Sequence, residues 1–199
     1  MNLFIFFCEL PTQAALEALD RRLSTLSKNQ DPLPNGKRLW ITHVPDTATR
    51  PFLHARPFDI FVSPIRFSNS EIEDYRVSLG QVPKRQMTCR CDDDSPESLE
   101  VMFCLAVEVM TRMNAFMSLS EDLIRTMFHT EETDTDFLAQ HLDDFPGLVY
   151  ELAHEQADGE LRLEWFVDAR WLRSWLVKQH RDARFTPNST TSRFASLDY

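Results

Sequence analysis

The hydrophobic pattern opens with Leu3-Phe4-Ile5-Phe6-Phe7-Cys8. A continuous apolar run of this length predicts a central strand buried on both faces. After Pro11 the period changes. Leu16, Leu19, Leu23 and Leu26 recur at helical spacing with Ala15, so a helix is expected there, opened by the proline. Asn29 to Gly36 carries two prolines and reads as a loop. Arg38 to Val44, centred on Leu39-Trp40-Ile41, reads as a second strand. Strand, helix, strand at this spacing suits a βαβ crossover, with other pairings open.

A third strand is expected over Phe58–Val62, between Pro57 and Pro64. Ser70 to Leu79 suggests a short helix closed by Gly80, with a strand as the rival reading. Lys84 to Cys91 reads as extended. Asp92-Asp93-Asp94-Ser95-Pro96-Glu97 is a helix start, with capping residues, a first-turn proline and acid at the positive end of the dipole. The helix expected from there runs from Pro96 to about Met117 and is apolar nearly all round. Such a helix is either central or at an interface. Its methionines could form an adaptable groove, but core packing is the favoured reading. Ser120-Glu121-Asp122 caps a helix to about Phe128, and Asp134 or Thr135 starts another to about Asp144. Leu148–Glu155 and Glu160–Phe166 flank Asp158-Gly159, a hairpin signal. Asp168 caps a last helix, with Trp171, Leu172, Trp175 and Leu176 on one face, expected to pack on that hairpin.

The fold class expected is α+β: a single domain over residues 1–180 followed by a polar tail, 181–199. Its mixed β-sheet should have five or six strands, packed with the long apolar helix and several shorter ones. Hydrophobic residues make up 43% of the 199, enough for a real core. Cys8 and Cys104 lie in apolar runs and read as buried thiols. Cys89 and Cys91 would share one side of an extended strand, too close to bridge. No disulfide framework, secretion signal or membrane-length apolar run is apparent, which points to the cytosol.

Charge changes the picture more. The net charge is −10, but it is unevenly placed. Residues 92–160 hold 18 Asp/Glu against only Arg112 and Arg125, a net of −16, while each flank is +3. A field of that sign disfavours nucleic acid and anionic membranes as direct partners. It keeps a protein soluble, and it can also steer a basic partner into place.

Candidate chemistry is sparse. The four glycines are all isolated, so phosphate-cradling loops are absent, and so is a nucleophile elbow. Cys89-Arg90-Cys91 lacks a second cysteine pair for zinc. His154-Glu155 starts like a zincin motif, but position 158 is Asp. His129, Glu131, Glu132, Asp134, Asp136 and His141 form a denser group, read as a solvated helix connection rather than a metal site. No cofactor, metal or catalytic residue is assigned, and the chain is read as a binding protein rather than an enzyme.

The acids Asp92, Asp93, Asp94, Glu131, Glu132, Asp134, Asp136, Asp143 and Asp144 are the candidate partner-binding residues. With the compact α+β layout and the lack of catalytic motifs, they give the chain its resemblance to bacterial immunity proteins, cytosolic inhibitors of toxins from neighbouring cells. The resemblance is one of overall character, without an aligned motif. It implies a tight complex with a basic toxin domain, whose active site would be covered or distorted. Two other classes are weighed beside it: a partner-specific chaperone or adaptor with a groove on helix 96–117, and a metal-dependent hydrolase built around His129, Glu132 and His141.

Overall fold

The computed structural model describes residues 1–43, 51–93, 95–128, 130, 135–155 and 161–185. Their elements run, in chain order, β1 (Asn2–Phe7), α1 (Gln13–Leu26), β2 (Ser27–Leu33), β3 (Gly36–His43), β4 (Pro51–Pro64), α2 (Asn69–Leu79) and β5 (Arg85–Arg90). They continue with α3 (Pro96–Met113), β6 (Ala115–Leu119), α4 (Glu121–Phe128), α5 (Thr135–Asp143), β7 (Val149–Glu155), β8 (Leu161–Val167) and α6 (Ala169–Phe185). The chain is a mixed α/β single domain built on one sheet.

That sheet has eight strands, in the order β2-β3-β4-β5-β1-β6-β8-β7. Every neighbouring pair is antiparallel. This corrects the expectation of a mixed sheet with five or six strands. The expected crossover between the first two strands is corrected as well. β1 lies between β5 and β6, three places along the sheet from β3, which holds the strand expected from Arg38. Helix α3 instead joins β5 to β6, on the two sides of β1.

The miscounted strands have identifiable causes. Asn29 to Gly36, read as a loop, is mostly β2 and its turn. Proline is tolerated there because β2 is an edge strand, where a missing N–H costs no ladder bond. Pro34 and Asn35 make the turn, with Asn35 at φ 63°, as the second central residue of a Pro-initiated type II turn demands. The strand expected over Phe58–Val62 extends from Pro51 to Pro64. The long apolar helix expected over 96–117 is two elements. α3 stops at Met113 because Asn114 turns left-handed, with φ 41° and ψ 67°, and Phe116 and Met117 belong to strand β6. α3 also carries two buried acids, Glu100 and Glu108.

Other signals correspond directly to structure. Gly80 closes α2 at φ 69°, as expected, while a reciprocal capping box of Ser68 and Glu71 starts that helix just ahead of the expected Ser70. Ser120 Oγ accepts from the Leu123 amide at the start of α4, and Asp168 from the Trp171 amide in α6. The hairpin signal becomes the β7–β8 pair. α6 continues to Phe185, past the expected start of the tail at Arg181.

One side of the sheet packs under α1, α3 and α6, where Leu3, Ile5, Phe7, Phe103, Trp171 and Trp175 are buried together. Trp175 packs edge-on against Phe103 of α3, with centroids 5.2 Å apart. Trp171 packs against Phe145 and donates its indole N–H to the Leu142 carbonyl at 2.6 Å. These tryptophans therefore join α6 to α3 and to the end of α5, and the hairpin is not their main support. The opposite side has a smaller cluster beneath α2, in which Tyr75 and Leu79 meet Phe6, Phe116, Leu152 and Phe166.

Candidate interaction surfaces

Across β1 to β5, that second side is built of charged and aromatic side chains. Strand alternation explains why. In β3, Leu39 and Ile41 point into the core and are fully buried, which turns Arg38 and Trp40 outward. Register then aligns Asn2, Arg90, Asp59, Arg38 and Asp31 in one row across β1, β5, β4, β3 and β2. From Arg90 to Asp31 the charges alternate.

The row is tightly bonded. Arg38 donates to Asp59 from Nε at 2.6 Å and from Nη2 at 2.9 Å. Arg90 Nη2 donates to Asp59 Oδ2 at 2.9 Å. Trp40 donates its indole N–H to Asp31 Oδ2 at 2.7 Å, and Asn29 donates to Asp31 Oδ1 at 3.0 Å. The Arg90 guanidinium also lies 5.8 Å from the centre of the Phe61 ring. That ring lies against Gly36 on β3. A Cβ there would come within 2.9 Å of Phe61 and 2.1 Å of the Ile60 carbonyl, so only glycine fits.

Hydrogen bonding from Arg38 holds the Asp59 carboxyl below the ordinary carboxylate range, against the opposing effect of burial. A carboxylate so fixed in its ionised form, gripped by arginines that do not give up protons, has no use in proton transfer near neutrality. These bonds brace the four strands β2 to β5. Strand alternation alone could have suggested the row, since Arg38-x-Trp40 and Asp59-x-Phe61 are the outward positions of their strands. Aligning them needs the register, which the sequence analysis did not have.

The expected partner-binding acids are distributed over several elements. Asp92 and Asp93 lead into α3. Asp92 is open, 3.7 Å from Arg90. Asp93 is committed to the fold. It accepts from the Ser95 amide at 2.9 Å, the Ser95 hydroxyl at 2.8 Å, the buried Ser98 hydroxyl at 2.7 Å and Arg56 at 2.6 Å. The Ser98 bond is the largest cause of its lowered carboxyl pKa. Asp143 and Asp144 are exposed at the end of α5. Asp136 is placed on α5 by its backbone alone. Asp94, Glu131, Glu132 and Asp134 lie outside the described residues, as does His129. His141 stacks edge-on against Phe128 at 5.3 Å.

Three further acids of the same sequence segment, expected only as caps or strand residues, are Glu121, Asp122 and Glu151. Glu121 and Asp122 open α4 and line a shallow hollow with Ser120 and Leu163. Glu151 on β7 accepts from the indole N–H of Trp165 at 3.2 Å and remains exposed. Both arginines of the acidic segment are already engaged. Arg112 pairs with Glu108, and Arg125 with Glu121 and Asp122.

Among the described residues, no group of three His, Cys, Asp or Glu side chains is arranged to hold a metal ion. No helix among them is long and apolar enough to cross a membrane. Compared with known families, curated proteins and solved structures, the chain matches none.

Proposed function

We propose that this chain binds and neutralises a basic partner protein, as bacterial immunity proteins do, and that it docks that partner through the exposed acids of α4, α5 and β7. The partner would be a toxin domain and the meeting place the cytosol. One observation carries the reading. The two arginines within the −16 segment are engaged by its own acids, Arg112 by Glu108 and Arg125 by Glu121 and Asp122, while Asp143 and Asp144 are exposed. Arg22, Arg56 and Arg90 from outside the segment offset Glu108, Asp93 and Asp92, whereas no ion pair among the described residues offsets Asp143 and Asp144. Complementary fields of this kind speed encounter and fix register.

Two features of the reading are revised by geometry. Asp93 is assigned to the fold rather than to the partner. A chaperone groove on α3 loses its support, because Met102, Met110 and Met113 are buried in the core. The test is affinity capture of the tagged full-length chain from its host at low and high salt, read by mass spectrometry. The expected result is one dominant basic protein, released by salt and toxic when expressed without this chain. Purified protein that carries metal and captures nothing would redirect the search to an enzyme.

A further inference from the structure

The sheet has two edges, and they differ. β2 is blunted against pairing. Pro32 lacks an N–H donor, the β2–β3 register shifts between Ser27 and Asn29, and Lys28 and Asp31 add charge. β7 has none of the backbone devices. It contains no proline, and its register with β8 runs unbroken from Val149↔Val167 to Glu155↔Leu161. Among the described residues, no backbone hydrogen bond outside the β8 ladder reaches Val149 to Ala153. Their outward N–H and C=O groups are a template for one more strand.

We propose that β7 receives an extended basic segment of the partner as a ninth strand. This inference rests on the acidic-surface reading and names its mode. Charge selects the occupant. Glu151 lies mid-strand on the same side as Val149 and Ala153, and Asp143 and Asp144 lie just ahead of the strand. A second copy of this chain would bring like charges together across the junction. Lysines or arginines at alternate positions of an incoming strand would instead face Glu151.

The test uses the full chain and a short alternating valine–lysine peptide, with hydrogen exchange read amide by amide. The peptide should protect alternate β7 amides. Glu151→Gln, which keeps an acceptor for Trp165, should weaken binding at least about threefold at low salt. Protection confined to α4 and α5 would overturn the strand-addition proposal and leave the acidic face standing. Protection of β7 that ignores both salt and the Asp143→Asn/Asp144→Asn double change would support the edge and reject the acidic face. Absence of binding would reject both. Dimerisation of the chain alone with protected β7 amides would make a second copy the occupant and overturn the proposal.

Discussion

Arg38 grips Asp59 through two nearly parallel hydrogen bonds, 2.6 and 2.9 Å long, between adjacent strands β3 and β4. The guanidinium fork matches both carboxylate oxygens, which an ammonium cannot do. The Asp59 side chain is only 5% exposed, so its charge depends on that grip and on Arg90. Asp59→Ala should therefore cost about 1.5–3 kcal/mol, the range for hydrogen bonds to charged groups, read by urea unfolding.

The same carboxyl gives a pH signature. Its folded pKa lies below the ordinary value. The stability it contributes is thus fully present above the unfolded value of about 4 and is lost as pH falls through the lower, folded one. The acid side of the stability curve should be less steep in Asp59→Asn than in the unaltered chain. Equal slopes would show that Asp59 is not a principal acid-sensitive group.

Asp92 and Asp93 are neighbours with opposite roles. Asp93 binds the start of α3 through Ser95 and Ser98 and anchors Arg56. Asp92 is 79% exposed. Asp93→Ala should cost about 1–2 kcal/mol, as loss of a helix cap does. Asp92→Asn should change stability by less than about 0.5 kcal/mol. Thermal melts of the two variants are sufficient, and equal effects would refute the division of roles.

The fold was partly legible because the strongest local signals were also structurally decisive. Gly80, Ser95-Pro96, Ser120 and Asp168 name helix ends without tertiary information. The failures share a cause. Pro32 looks like a strand breaker until one knows that β2 is an edge, and Phe116 and Met117 continue a helical apolar pattern until Asn114 turns the chain. Those outcomes depend on neighbours distant in sequence. So does the row from Arg90 to Asp31, whose members come from four separate strands. Acidic character, by contrast, is additive along the chain and could be read directly, but which acids serve the fold could not. Asp93 looks no different from Asp92 until Ser98 is placed beside it.

The thiols offer an independent check of the core. All four cysteines are buried, and none of them forms a disulfide. Burial raises the Cys89 thiol to about 12 and the Cys8 thiol to about 11. Thiolate is the reactive form, so native protein at pH ~8 should label far more slowly than free cysteine, whose pKa is about 8.5. Denaturant should expose all the thiols at once. Because the unfolded thiols ionise first, stability should also fall as pH rises above about 9. Fast labelling of the native chain would contradict the packing of β1 and β5.

Gly147 precedes β7 at φ 150°, and a Cβ there would lie 2.4 Å from the Trp171 amide nitrogen. That nitrogen cannot move without opening the Asp168 cap on α6. Gly147→Ala should cost about 3 kcal/mol, at the high end for single substitutions. A near-neutral result in chemical denaturation would mean that the α5–β7 connection can shift.

The last prediction separates charge from structure in the acidic segment. Asp143 and Asp144 are exposed, and neither makes a hydrogen bond or ion pair within the described residues. Removing their charges should therefore leave stability within about 0.5 kcal/mol. It should, however, remove two of the 18 negative charges in the 92–160 segment without touching any contact that holds the fold. If the surface steers a basic partner, Asp143→Asn with Asp144→Asn should slow association by about threefold to tenfold at low salt. The difference should shrink as screening shortens the reach of the field to about 8 Å at physiological ionic strength. Dissociation should change less than association, since steering acts on encounter. Stopped-flow binding across a salt series resolves these terms. Unchanged association at low salt would remove these acids from the docking face, and a loss of stability equal to the loss of binding would make them structural instead.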